Sequence, residues 1–277
     1  MKAILFIILF LGISSIELHG IDVSIYQGII NWNTVVKKQR FVIIRAGYGT
    51  SEELDKNWET NYRGAKAAGA KVGAYWYSYA KSVKDAEKEA YGFLKALKGK
   101  QLEWPVYYDI EEQSIFRLNI QNDIAKTFCG IMEANNYFCG IYSSANPLTY
   151  NFDDSVRKRY AIWVAHYGVP IPSYDGDYGI WQRGIGRVDG INGDCDLDVG
   201  YIDYEPIIKG GGLNGFDGSQ PIDTTTPVEP SYKIYVVKAG ENLTKIALKL
   251  GVTVDYLVQM NNIKNPNLIF EGQELKY

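Results

Sequence analysis

Short runs of apolar, β-branched or aromatic residues punctuate the first three-quarters of the chain at Ile21–Ser24, Phe41–Arg45, Val72–Tyr79, Val106–Asp109, Phe138–Tyr142, Ala161–Ala165, Gly179–Gln182 and Cys195–Asp198. Each has the length and side-chain type of a buried strand. Between the early runs the apolar positions change period. Trp58, Tyr62, Ala65 and Gly69 recur at helical spacing. So do Ala86, Ala90, Phe93, Leu94 and Leu97, preceded by Ser82 as an N-cap. Ile120, Ile124, Phe128 and Ile131 form a third stripe, and shorter helices are expected near Val35 and Val156. Strand alternating with helix argues for parallel strands joined by crossovers. The pattern predicts an α/β fold closed as a TIM-like barrel with about five good helices. The connections after Ala165 and Gln182 are rich in Gly, Pro and Asp and carry no helical period, so the final third is looser. An open doubly wound sheet is the competing architecture.

At Gly210 the pattern stops. Gly210-Gly211-Gly212, Asp223-Thr224-Thr225-Thr226-Pro227 and Pro230 read as a flexible linker over residues 210–231. Residues 232–277 then form a compact unit. A strand, Tyr232–Val237, leads through Lys238-Ala239-Gly240 to a helical face of Leu243, Ile246, Ala247 and Leu250, stopped by Gly251. Val254, Leu257 and Val258 suggest a second short helix, Asn265-Pro266-Asn267 a turn, and Glu274-Leu275-Lys276 a closing strand. The order β-α-α-β describes a small domain with a single core.

At the other end, Lys2 precedes an apolar stretch, Ala3 to Ile13, and then Ser14-Ser15. This is the layout of a secretory signal peptide, too short for a stable membrane anchor. It is assigned to residues 1–19, with cleavage between Ser15 and Gly20, which makes residues 20–209 the large domain and the protein secreted. Export permits disulfides, and Cys129 and Cys139 are placed to pair.

The net charge is −3, with basic residues scattered, which argues against a nucleic-acid partner. Two histidines and three cysteines offer no zinc-type spacing, and no glycine-rich phosphate loop occurs. No metal and no cofactor are therefore expected, nor a membrane partner after signal removal, and the chain reads as a monomer. Aromatic content is 14%, with 22 Tyr against 10 Phe. That balance suits stacking on sugar rings as well as filling a core.

The candidate chemistry lies in Asp109-Ile110-Glu111-Glu112, which closes the run Trp104-Pro105-Val106-Tyr107-Tyr108. Alternation along a strand sends Asp109 and Glu111 to one side. Two carboxylates held together raise a pKa, and a carboxylic acid still protonated near neutrality protonates a glycosidic oxygen. In a barrel, chemistry belongs at the C-terminal strand ends. Asp22 of the first strand and Asp196 of the eighth should converge there, with Glu111 brought toward them across a flattened mouth.

Gly20-Ile21-Asp22-Val23-Ser24, Ile44-Arg45-Ala46, Gly73-Ala74-Tyr75-Trp76-Tyr77, Asp109-Ile110-Glu111, Trp163-Val164-Ala165 and Trp181-Gln182 together resemble family 25 glycoside hydrolases, the Chalaropsis-type lysozymes. The resemblance runs in order from Gly20 to Ile208. It implies a flattened (β/α)5(β)3 barrel and cleavage of the β-1,4 bond between N-acetylmuramic acid and N-acetylglucosamine in peptidoglycan. Glu111 then matches the general acid, Asp109 the carboxylate beside it, Asp22 the first-strand acid, and Asp196 the aspartate of a closing Asp-x-Asn pattern. Here Asp198 stands where Asn is usual. Whether a carboxylate or the substrate's own N-acetyl group attacks the anomeric carbon stays open. Tyr48, Tyr75, Tyr77, Tyr107, Trp163, Trp181 and Gln182 are the candidate cleft residues.

Residues 232–277 resemble a LysM module through Tyr235-Val236-Val237, Gly240-Glu241-Asn242-Leu243, Ile246-Ala247, Asn261-Asn262 and Gly272-Gln273-Glu274-Leu275. The resemblance implies binding of N-acetylglucosamine-containing glycans, in peptidoglycan or chitin, through Gly240, Glu241, Asn242, Asn267, Leu268 and Ile269. Two rivals remain. A chitinase-type barrel would show further acids before Asp109, where Val106 and Tyr107 stand. A non-catalytic glycan-binding protein would lack the acids altogether.

Overall fold

The computed structural model describes residues 17–51 and 53–216, and near the C-terminus residues 234–239, 241–250, 254, 257, 258, 261, 263–266 and 268–277. Strands β1 (Leu18–Val23), β2 (Phe41–Tyr48), β3 (Glu53–Leu54), β4 (Lys71–Tyr77), β5 (Val106–Asp109), β6 (Cys139–Ser144), β7 (Ala161–Ala165), β8 (Ile180–Arg187) and β9 (Asp194–Gly200) form one sheet. Its order, β1-β9-β8-β7-β6-β5-β4-β2, closes because β2 pairs back onto β1. The eight-stranded barrel is therefore closed, and the open doubly wound sheet is not the fold. Strand β3 only extends the end of β2. The strands run parallel around the barrel except β9, which is antiparallel to both β8 and β1.

Helices α1 (Trp32–Val35), α2 (Trp58–Ala67), α3 (Val83–Leu97), α4 (Gln113–Leu118), α5 (Gln121–Ala134), α6 (Ala145–Tyr150), α7 (Asp154–Arg157) and α8 (Tyr204–Gly210) connect or flank these strands. Ser82 caps α3 by accepting from Asp85 N–H, as its position suggested. Alternation divides the strand side chains into two cores. Val42, Ile44, Trp76 and Tyr108 face outward to Phe93 and Phe128 of the helices. Phe41, Ile43, Tyr75, Tyr107, Tyr142 and Trp163 fill the barrel. The interior is thus a packed aromatic plug, and any cleft must lie above it.

Two boundaries differ from the sequence reading. Strand β1 begins at Leu18, two residues inside the segment assigned to the signal, because Leu18 and His19 pair with Gly200 and Val199. The linker begins later than Gly210. Asn214 is fully buried; its amide nitrogen donates to Trp104 O (2.9 Å) and Leu102 O (3.3 Å), and its Oδ1 accepts from Phe138 N–H (2.8 Å). Leu213 and Phe216 pack on the interior core, so residues 211–216 belong to the barrel. Three glycines and a lone polar residue hide that docking from a reading of composition. Cys129 and Cys139 are buried free thiols with sulfurs 3.0 Å apart.

Near the C-terminus, β10 (Ile234–Val236) pairs antiparallel with β11 (Glu274–Lys276), and α9 (Leu243–Leu250) packs Leu243, Ile246 and Ala247 with Leu257 and Leu275. Residues 1–16, the linker stretch 217–231, and Gly240 and Asn267 lie outside the described residues.

Candidate active site

Register fixes which acids meet. Asp22 stands opposite Asp196 across the β1–β9 pairing, and Gln182 of β8 stands opposite Asp198. Directly opposed residues share a face, and Asp196 and Asp198 are two apart on β9, so all three acids face the interior while Cys195 and Leu197 face out. On the far side, Tyr77 stands beside Asp109, and Asp109 beside Tyr142. The β9 strand runs in reverse, so Asp196 is nearer the mouth and Asp198 one layer deeper.

Hydrogen bonds hold these groups from beneath. Gln182 donates to Asp22 Oδ2 at 2.7 Å and accepts from the Tyr142 and Tyr167 hydroxyls at 2.7 and 2.5 Å. The Trp163 indole donates to Asp198 Oδ1 at 2.9 Å. Oδ2 of Asp198 and Oδ1 of Asp109 are buried with no hydrogen-bond partner among the described residues. Tyr77 donates to Glu112 Oε1 at 2.8 Å.

Proton affinity follows from this geometry. Burial, then the charge of Glu111, holds the Asp109 carboxyl well above the usual carboxylate range. Burial, then Asp198 and then Asp196, does the same for Asp22. Asp198 is pushed up to about 8, chiefly by burial. Glu111 is raised by burial, against the Tyr77 hydroxyl and with a smaller push from Glu112 and Asp196, although solvent still reaches the residue. Asp196, half-buried, is raised by burial and eased by the Tyr167 hydroxyl. Burial therefore outweighs the like-charge repulsion that the sequence suggested as the cause. Glu111 is the most exposed of these raised acids, with Asp196 half-buried and Asp22, Asp109 and Asp198 buried.

The candidate cleft residues divide. Tyr48 and Tyr77 are half-buried at the rim, and Tyr75 lies just beneath the acids. Gln182 is buried and supports Asp22 rather than lining a surface. Tyr107, at 0% exposure, and Trp163, at 1%, belong to the plug, stacked edge to face 5.3 Å apart, so neither meets a ligand by its ring face. Trp181 points outward from the barrel, into the layer under the helices, and donates to His166 O at 2.8 Å. These three corrections share one reason: an aromatic in a strand packs as readily as it stacks, and period alone does not tell the two faces apart.

Other groups escaped the sequence reading. Arg45 pairs with the buried Asp55 at 2.8 Å and lies 5.1 Å from the Tyr26 ring centre and 5.5 Å from that of Tyr48. Tyr48, Tyr79 and Tyr77 continue this aromatic rim toward Glu112. Tyr167 reaches the acids from the loop after β7. For Tyr26, Tyr79 and Tyr167 only the aromatic side chain was a signal, while Arg45 stood in the Ile44-Arg45-Ala46 match without a role. In the C-terminal unit, Asn242 accepts from Lys245 N–H (2.9 Å) and caps α9, while Glu241 accepts from Lys238 N–H and Tyr235. Both side chains serve the module's own fold. Leu268 is exposed and Ile269 half-buried.

Sequence comparison matches residues 21–184 to the glycosyl hydrolases of family 25 and residues 235–276 to the LysM domain. The chain is 30% identical over 243 residues to an autolytic lysozyme of Clostridium acetobutylicum, covering 86% of this chain and 68% of that protein. Among solved structures, a bacterial lysozyme from Streptomyces coelicolor matches with a TM-score of 0.56 at 25% identity, over 70% of this chain and 97% of that one. The CTP1L endolysin shares the fold, with a TM-score of 0.61 at 24% identity over 70% of each chain.

Proposed function

The chain belongs to the glycosyl hydrolases of family 25 and carries a LysM domain, and from that premise we propose that it hydrolyses the β-1,4 bond between N-acetylmuramic acid and N-acetylglucosamine in peptidoglycan, outside the cell. One observation carries the reading: burial raises the proton affinity of Glu111 at a position that solvent still reaches, at the mouth of an acid-lined barrel. A group in that state protonates the leaving glycosidic oxygen. Asp109 lies beneath it at 4% exposure. Its burial favours a supporting role, in which it orients the substrate's N-acetyl group for attack on the anomeric carbon instead of attacking itself. Asp22 and Asp196 face that centre from the opposite wall and stabilise the positive charge that develops on the sugar. Asp22 is held in place by Gln182.

The LysM domain binds the same polymer and raises the local concentration of scissile bonds through effective molarity. Removal of the segment ahead of Leu18 leaves β1 whole and releases the protein from the exporting membrane. Purified protein should release reducing ends from peptidoglycan, and Glu111→Gln should lower turnover by about 10²–10⁴-fold while pelleting with the cell wall as before. Undiminished turnover by the variant would refute the assignment of the acid.

A further inference from the structure

Glu89 takes no part in the acidic mouth described above. It lies on α3, on the outer side of the barrel wall, at 0% exposure, and a buried carboxylate with no ion pair among the described residues needs a reason to be there. Three donors converge on it. Tyr79 N–H donates to Oε1 at 2.9 Å, and the Ser78 hydroxyl (2.9 Å) and the Tyr108 hydroxyl both reach Oε2. Ser78 and Tyr108 are also 2.8 Å apart, so the three side chains form one closed cluster.

The cluster's place in the chain gives it meaning. Ser78 and Tyr79 immediately follow β4, whose last residue, Tyr77, meets the acidic mouth. Tyr108 immediately precedes Asp109. Ser78 N–H donates to Asp109 O at 3.0 Å, and Ala80 N–H to the Ser78 hydroxyl at 3.2 Å. A single carboxylate on a helix thus ties the ends of two adjacent strands that carry Tyr77, Asp109 and Glu111. Side chains alternate, so Tyr108 points out to Glu89 while Asp109 points into the cleft.

We propose that Glu89 is a positioning residue for the hydrolysis described above: without touching substrate, it clamps the C-terminal ends of β4 and β5 together and so sets the placement of Tyr77, Asp109 and Glu111. The inference rests on the lysozyme reading for its effect on turnover, not for the clamp itself. Burial raises Glu89 to about 7, against which Tyr108, Tyr79 and Ser78 act as donors; Asp85 on the same helix adds to the rise. The clamp is therefore complete in the ionised form, whose two oxygens accept all three donors. Protonation makes one oxygen a donor and forces a hydroxyl to turn round.

Three variants test this: Glu89→Gln, Glu89→Met, and Glu89→Met combined with Ser78→Ala and Tyr108→Phe. The triple change removes the stranded hydroxyls with the carboxylate and so protects folding. The kcat and KM are measured on soluble peptidoglycan fragments well below each variant's Tm, and amide hydrogen exchange is followed at Tyr79 and Ala80. Misplacing catalytic groups costs up to about 10²-fold, so Glu89→Met and the triple variant should lose at least tenfold in kcat with KM nearly unchanged. Exchange at Tyr79 should quicken in both. Glu89→Gln keeps an oxygen for Tyr79 N–H and should recover part of the kcat and most of the protection. A folded triple variant with wild-type kcat, or with unchanged exchange at Tyr79, overturns the proposal. Wild-type protein that releases no reducing ends overturns the lysozyme reading instead, and the exchange data still decide the clamp.

Discussion

Asp22 of β1 and Asp198 of β9 meet inside the barrel as two buried carboxyls, each served by one neutral donor, Gln182 for the first and Trp163 for the second. Among the described residues neither has a cation beside it, and Asp198 Oδ2 has no other hydrogen-bond partner. Two such groups cannot both be charged in a low-dielectric site, so the pair holds a proton between them. Asp196, above them and half-buried, adds a third negative group at the mouth. An asparagine at position 198 would offer Asp22 an N–H without any proton to lose.

Asp198→Asn should therefore stabilise the protein as pH rises. Asp198 binds its proton more tightly folded than unfolded, its value rising from 3.8 to about 8. Between those limits the native state holds more protons than the unfolded chain, so this group's contribution is full below about pH 4 and fades as pH rises through 8. Replacement by Asn removes the loss. Thermal unfolding at pH 4 should distinguish the two proteins little, whereas at pH 7.5 the variant should gain on the order of 1–4 kcal/mol. Equal pH slopes for both proteins would contradict the shared proton.

The Arg45–Asp55 pair should be structurally indispensable. Side-chain exposures of 12% and 0% make it a buried ion pair, and Asp55 also accepts from Ile25 N–H (3.0 Å) and Asn57 N–H (2.9 Å). Asp55→Ala strands a buried guanidinium and two N–H groups, with an expected cost of about 3–5 kcal/mol by denaturant unfolding. Because Arg45 also backs Tyr26 and Tyr48, KM for long glycan strands should rise as well. A loss below about 1 kcal/mol would mean that the pair behaves as a surface salt bridge.

Truncation should locate the end of the barrel. A chain ending at Phe216 retains Asn214 and should unfold at nearly the temperature of the catalytic domain in the full protein. A chain ending at Gly210 leaves Phe138 N–H and the carbonyls of Leu102 and Trp104 without Asn214. Each stranded buried group costs about 1–3 kcal/mol, so its Tm should fall by several degrees or more. Equal melting temperatures would place the boundary where the composition change lies.

Much of this was legible in the sequence because burial and period leave marks. All eight barrel strands coincide with apolar runs, and α2, α3 and α5 with helical stripes. The gathering of Asp22, Asp109 and Glu111 at one end of the barrel was legible because strand order and direction bring the ends of apolar strands together. What stayed hidden depends on which way a side chain turns. Tyr107, Trp163 and Trp181 carry the chemistry of sugar-stacking residues and are spent on packing. Helices α4 and α6, each six residues long, are too short to show a period. Glu89 sits in an ordinary amphipathic helix, and only the fold brings Ser78, Tyr79 and Tyr108 to it.

Hydrolysis as proposed requires that Glu111 deliver a proton to the oxygen that joins muramic acid to the next sugar. Digestion of purified peptidoglycan, followed by borohydride reduction and mass spectrometry of the fragments, reads that bond directly. Wild-type protein should leave N-acetylmuramitol at the new ends and Glu111→Gln should leave none; N-acetylglucosaminitol at those ends, or no new ends at all, would contradict proton delivery to that bond.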